Sequence, residues 1–224
     1  LKKPISNLTE IDLINSLEKS DISYINLQSK NDTLIVCFAS AEHHGWERKT
    51  SLLDLKQKYD FDLMFLRNRW GWYTESLNGI GNSFSESTKF FLKTASSYKK
   101  IIAIGGSSGG YASILYGCLC KFDEVIAIQP QTDLVYASQF CPPLQKLLKR
   151  IPDFEFLNLN NLVEKSNTKI NIVSKSNEQI KDSADKHLHG LHHYHNIKNN
   201  NNVNYINGEG TPNSLGFDCL LKLF

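Results

Sequence analysis

The chain has 224 residues, 41% of them apolar, and its 25 Lys and Arg against 23 Asp and Glu leave a net charge of +2. A chain of this length buries roughly 70% of its unfolded surface, which suits one core and a single domain over residues 1–224. The near-neutral balance speaks against a nucleic-acid binder, which needs a basic face to displace counterions, and no apolar run approaches the roughly 20 residues of a membrane span.

Hydrophobic periodicity gives an alternation of strands and helices, the order of an α/β protein with a mostly parallel sheet flanked by helices. Leu1–Glu10 carries two lysines with no apolar stretch behind them, so no secretory leader is expected there. Thr9 caps a predicted helix to Glu18, with Ile11, Ile14 and Leu17 on one face. Strands follow at Ile22–Leu27 and Leu34–Ala39, a helix within Trp46–Tyr59, and a strand at Asp62–Leu66. Next come a helix over Ser85–Ser97, a strand over Ile101–Ile104, a helix over Gly109–Leu119 and a strand over Val125–Ile128. Gly79–Gly81 reads as a turn.

Beyond Pro130 the pattern loosens into a helical insert or cap over about residues 134–166, holding a basic amphipathic piece at Leu144–Ile151. Regular structure resumes with a strand at Lys169–Val173, a helix at Asp185–His195, an Asn-rich turn, a strand at Val203–Ile206 and a closing helix after Ser214. The five cysteines are an odd number, three of them in apolar segments, which suits free thiols in a reducing compartment; cytoplasm is the expected location.

The most informative stretch runs from Ile101 to Tyr116: an apolar strand, then Gly105-Gly106-Ser107-Ser108-Gly109-Gly110, then a helix. This is the pattern of a nucleophile elbow, a turn so tight that positions two before and two after the nucleophile have no room for side chains. The pattern fits both Ser107 and Ser108. Ser107 is preferred because the residue three beyond it, pressed between helix and sheet, is Gly110, whereas Ser108 would place bulky Tyr111 there. The same glycines also suit a flexible loop or an anion nest; a P-loop is ruled out because Gly-Lys-Ser/Thr is missing.

An acyl-transfer site needs amides aimed at the oxyanion. The N–H of Ser108, opening the helix, is one expected donor, and the amide of Ala41, after the strand Leu34–Ala39, is the other. An acid is sought after the strand Lys169–Val173; Asp182 ranks first and Asp185, which reads as a helix cap, second. The base is sought after the last strand, but the loop 207–216 holds no histidine, and Pro212, which has no proton acceptor, stands at the position expected for it. Five of the seven histidines fall within His187–His195. His189 and His193 sit at i, i+4 and could share a helix face, yet no carboxylate or cysteine accompanies them, so no metal is expected.

Three segments, Phe65–Tyr73, Gly105–Tyr116 and Ala127–Thr132, resemble the α/β-hydrolase-fold proteins of capsular polysaccharide biosynthesis, the capsule O-acetyltransferases among them. The likeness covers about residues 34–133 well and the C-terminal third loosely. It implies an α/β-hydrolase fold, with Ser107 as nucleophile, Asp182 as acid and a histidine where Pro212 stands. It further implies acetyl-CoA as acyl donor, no metal, and hydroxyls of an N-acetylmannosamine-phosphate capsule polysaccharide as acceptor, with peripheral association to the capsule assembly machinery. Trp70, Trp72 and Tyr73 would then stack on sugar rings or the donor, with Arg67 and Arg69 for phosphates and Lys146, Lys149 and Arg150 as a strip facing the polyanion. Two alternatives stay open: a carboxylesterase or deacetylase of the same fold, and a carbohydrate-binding pseudoenzyme, the latter suggested by Pro212.

Overall fold

In the computed structural model, residues 22–25, 31–40, 49–56, 58–68, 71–174, 190–207 and 220–221 are described. Seven strands form one sheet: β1 (Ile22–Ile25), β2 (Thr33–Phe38), β3 (Asp62–Leu66), β4 (Lys100–Gly106), β5 (Glu124–Ile128), β6 (Lys169–Ser174) and β7 (Val203–Asn207). Their order across the sheet is β1-β3-β2-β4-β5-β6-β7. Among the described strands only β1 runs antiparallel, pairing Ile22 with Leu66 at one edge; the other pairings are parallel. Strands buried on both faces read as unbroken apolar runs, which is why β2 is Thr-Leu-Ile-Val-Cys-Phe and β5 is Glu-Val-Ile-Ala-Ile.

Side chains alternate between two cores. Leu34, Val36 and Phe38 join Ala103, Val125, Ile170 and Ile172 on one face, while Ile35, Cys37 and Ala39 join Ile102, Ile104 and Ile126 on the other. The second face is covered by α1 (Lys49–Lys56) through Leu52 and Leu55, together with Leu220. The first face carries α2 (Phe84–Ala95), α3 (Ser108–Leu119), α4 (Leu134–Ser138), α5 (Pro142–Leu148), α6 (Asn160–Glu164) and α7 (Gly190–Ile197).

Local chemistry sets the ends of these helices. Ser83 caps α2 by accepting from the Glu86 amide, while Glu86 accepts from the Asn82 amide. Asp133 caps α4 through the Tyr136 amide. Pro142 and Pro143 open α5 where no intrahelical N–H is needed. The segment between β5 and β6, where the sequence pattern loosens, contains these three short helices, and the expected basic piece at Leu144–Ile151 overlaps α5. Gly79–Gly81 is a turn, with Gly79 at φ 86° and the Ile80 amide donating to the Leu77 carbonyl.

The topology determines where a site can form. The chain leaves β2 towards β3 on one side, and leaves β4 towards β5 on the other. The carboxyl ends of β2 and β4 are neighbours, and the reversal between them opens the crevice in which open α/β sheets place ligands. Ser107 follows β4 at that crevice, and Ala39 and Ser40 follow β2.

Candidate active site

Ser107 stands between β4 and α3 with φ 52° and ψ −118°, a conformation that side-chain-bearing residues rarely adopt. It is held there from both sides: its amide donates to the Ile128 carbonyl of β5 at 3.0 Å, and its own carbonyl accepts from the Tyr111 amide at 3.0 Å. A serine preceding a helix usually caps it with its hydroxyl, but the Ser107 side chain makes no such bond. The residue is half-buried at the carboxyl end of central strand β4. Ser108, by contrast, is fully buried inside the first turn of α3.

The flanking glycines show why this turn tolerates so few residues. A Cβ at Gly105 would lie 2.2 Å from the Gly109 carbonyl oxygen and 2.6 Å from Ser113 Oγ. A Cβ at Gly109 would lie 2.2 Å from the Phe38 carbonyl oxygen and 2.9 Å from that of Ala39. Gly110 is less tight, at 3.0 Å from Pro130 Cα and Cβ. The frame centred on Ser107 is the one the packing imposes: two before and two after are the positions without room, and three after is the next tightest.

The β2 side of the crevice is fixed by an aromatic strut. Tyr73 is fully buried, and its hydroxyl donates to the Ala39 carbonyl at 2.8 Å and lies 3.1 Å from that of Leu66. Tyr116 of α3 donates in turn to the Tyr73 carbonyl at 2.9 Å. Burial pushes the Tyr116 phenol far above its ordinary range, so it stays a donor at any physiological pH. Phe38 packs edge-on against Tyr73 and stacks parallel to Tyr116, and Phe91 completes the cluster.

No family model and no curated protein sequence matches the chain. Solved structures do match. A lipase/esterase from Lactobacillus plantarum superposes with a TM-score of 0.61 at 14% identity, covering 91% of this chain and 91% of that one. The substrate-bound fluorophosphonate-binding serine hydrolase F of Staphylococcus aureus gives 0.57 at 13% identity, over 90% of this chain and 89% of that one. The acylaminoacyl peptidase of Pyrococcus horikoshii gives 0.59 at 13% identity over 92% of this chain, which spans 39% of that protein's length.

The chain has the α/β-hydrolase fold. Within that fold the predicted site residues are placed differently from one another. Ser107 and Ser108 lie at the elbow, as described above. Ala41, Trp70, Arg69, Asp182, Asp185, His189 and Pro212 lie outside the described residues. Trp72 and Tyr73, expected to stack on sugar rings, are 3% and 0% exposed and face the interior.

The reason for that correction is long-range. Trp72 and Tyr73 both take positive φ, 44° and 62°, which turns the chain back onto the first core. Trp72 Nε1 then donates to the side-chain carbonyl of buried Gln131, and Tyr73 reaches Ala39. The Trp72 indole thus holds a side chain and the Tyr73 hydroxyl a main-chain carbonyl. Arg67 is half-buried at the end of β3. The strip Lys146, Lys149 and Arg150 is interrupted, because Arg150 pairs with Glu75 at 2.9 Å.

The histidine-rich helix also differs from its sequence reading. His193 is fully buried, and its Nδ1 accepts from the Thr132 amide at 3.1 Å. A backbone N–H can only donate, so Nδ1 is engaged as an acceptor by the main chain. Thr132 adds a bond from its hydroxyl to the His193 carbonyl at 2.8 Å, and His192 stacks on Tyr136. Among the described residues no group of three His, Cys, Asp or Glu side chains is arranged to hold a metal.

The sequence reading gave Gln131, Thr132 and Tyr116 no individual role, although they tie the loop after β3, α3 and α7 together. One signal was present: polar Gln131 and Thr132 directly follow an apolar strand and a proline, where a turn would otherwise be solvated. Their burial, 2% and 0% exposed, shows that they face partners instead.

Proposed function

We propose that this chain is a serine-dependent acyl-transfer enzyme of the carboxylesterase kind, working through an ester on Ser107. The observation that carries the reading is the backbone of Ser107: a strained, uncapped serine at the N-terminus of a twelve-residue buried helix, at the crevice between β2 and β4. In the reaction Ser107 Oγ bonds to the acyl carbon, the oxyanion is met by the Ser108 amide and a second amide near Ala41, and the alcohol leaves with a proton. Water then takes the acyl group and frees the serine. Proline at 212 supplies no proton acceptor, so general-base help, typically worth about 10² to 10⁴ in rate, has to come from a residue other than that at 212. Esterase, peptidase and serine-hydrolase neighbours support this chemistry over others that the fold hosts.

A second reading keeps the same intermediate and changes the acceptor: acetyl moves from acetyl-CoA to a capsule-polysaccharide hydroxyl. It is favoured by one feature. The three segments that resemble capsule-biosynthesis proteins interlock around the elbow, Tyr73 bonded to Tyr116 and Trp72 to Gln131.

The experiment is to treat the chain, and its Pro212→His variant, with a fluorophosphonate and read the modified residue by mass spectrometry. Label on Ser107, lost in Ser107→Ala, is the expected result, with Pro212→His labelled faster by orders of magnitude. Label on Ser108, or none in either folded protein, rejects the reading; polysaccharide binding without label would instead indicate a pseudoenzyme. Coenzyme A release from acetyl-CoA that requires the polysaccharide would select the transferase over the esterase.

A further inference from the structure

We infer that Tyr73 is a positioning residue, whose hydroxyl sets where the chain leaving β2 can place an oxyanion donor relative to Ser107. The inference rests on the acyl-Ser107 reading for its catalytic consequence and on geometry for the rest. An oxyanion hole built from two chain segments works only if their separation is fixed, since a donor must stand about 2.7–3.1 Å from the developing charge. One segment is the first turn of α3. The other leaves β2 through Ala39 and Ser40, past the last paired residue, Phe38.

Sheet pairing alone does not hold that exit. Ala39 keeps one bond to β3, its amide donating to the Leu66 carbonyl at 2.9 Å. Its carbonyl faces Gly109 of α3, close enough that a Cβ there would stand 2.9 Å away. Tyr73 completes the clamp, with its hydroxyl 2.8 Å from the Ala39 carbonyl and 3.1 Å from the Leu66 carbonyl. The strut is itself tied to the nucleophile helix, because Tyr116 of α3 donates to the Tyr73 carbonyl at 2.9 Å. The exit of β2 and the helix bearing the elbow are thus linked through a single tyrosine, in addition to their direct packing.

The backbone cost of this arrangement points the same way. Trp72 and Tyr73 both hold positive φ, which two consecutive aromatic residues adopt only where surrounding contacts over-determine them. The Asn68 side chain accepts from the Tyr73 amide at 3.3 Å and Gln131 accepts from Trp72, so the left-handed pair is fastened at both residues. What the pair delivers is the Tyr73 phenol, placed under the end of β2. A residue needed only to fill the core requires no hydroxyl; phenylalanine would pack equally well against Phe38.

The test is Tyr73→Phe, which keeps the ring and deletes the hydroxyl, made in the chain as it stands and alongside Pro212→His. With p-nitrophenyl acetate, well below the unfolding temperature, kcat should fall about tenfold, a fraction of the 10²–10³ lost when an oxyanion donor is removed outright, while KM stays within twofold. Hydrogen exchange at the Ala39 and Ser40 amides should quicken severalfold. Tyr98→Phe is the control: it deletes a tyrosine hydroxyl bonded to Asp62 at the opposite end of β3, and should leave both readouts unchanged. Tyr73→Phe with unaltered kcat, or with unaltered exchange at Ala39 and Ser40, overturns the inference. If neither host turns over or labels at Ser107, the acyl-transfer reading fails instead, and exchange still decides whether Tyr73 holds the end of β2.

Discussion

Replacing Gly109 by alanine tests the elbow without relying on any activity. The added methyl would sit 2.2 Å from the Phe38 carbonyl oxygen and 2.9 Å from both the Phe38 carbonyl carbon and the Ala39 carbonyl oxygen. All three atoms are main chain, two of them of Phe38 in a central strand paired on both sides, so no side chain can swing away, and α3 must lift from the sheet by about 1 Å. Overpacking of this kind costs roughly 3 kcal/mol, against which alanine in place of glycine in a helix returns up to about 1 kcal/mol. The net loss is about 2 to 3 kcal/mol, or roughly 5 to 10 °C in Tm for a domain of this size. Gly110→Ala is the matched comparison: its methyl meets Pro130 Cα and Cβ at 3.0 Å, a contact relieved by a few tenths of an ångström. There the propensity gain offsets most of the cost, leaving stability within about 1 kcal/mol. Urea and thermal unfolding followed by circular dichroism would measure both. A Gly109→Ala protein as stable as the parent, or Gly110→Ala the worse of the two, would mean that α3 does not press on β2 as described.

Three further outcomes follow from the same contacts. Ser107→Gly should raise stability by about 1 kcal/mol by relieving the φ of 52° while abolishing any labelling, and a net loss on unfolding would deny the strain. Trp72→Phe should cost about 1 to 3 kcal/mol, because buried Gln131 loses its indole donor, and should leave substrate KM unmoved; a KM effect with intact stability would return Trp72 to the binding surface. Burial pushes the Cys118 thiol up to about 11 and the Cys120 thiol up to about 12. These groups stay protonated in the folded chain while the unfolded chain ionises near its ordinary value, so their contribution is intact below about pH 9 and lost as pH rises through 11 to 12. Unfolding free energy measured from pH 8 to 11 should therefore decline, and the double variant Cys118→Ala, Cys120→Ala should flatten that decline; an unchanged slope would refute the assignment.

The elbow was legible because everything it needs is local. A strand of Ile101–Ile104, two glycines, a serine pair and a small residue at position 110 are consecutive in the chain, and the choice of Ser107 over Ser108 turned on one neighbour, Tyr111. The structure's positive φ falls on Ser107, the residue that argument selects. Strands were equally readable, since parallel strands buried on both faces carry unbroken apolar runs with β-branched residues; Asp62–Leu66 has the same limits in sequence and structure. The short helices at 134–138 and 160–164 were not readable as separate elements, because one turn carries too little periodicity to distinguish it from a loop.

The direction of the aromatic residues after β3 could not be read locally at all. Trp-Gly-Trp-Tyr at the end of a strand suits a sugar-stacking loop as well as a buried strut, and nearest-neighbour chemistry does not separate the two. What separates them is a set of bonds spanning 34 residues to Ala39, 43 to Tyr116 and 59 to Gln131. His193 likewise became a buried acceptor only through Thr132, 61 residues away. Amino-acid order by itself determined the sheet, the tight turn and the serine at its apex, since those depend on periodicity and on the volume of adjacent residues. Only the tertiary structure decided which polar and aromatic side chains face inward, because that choice depends on partners brought together by the closing of the sheet.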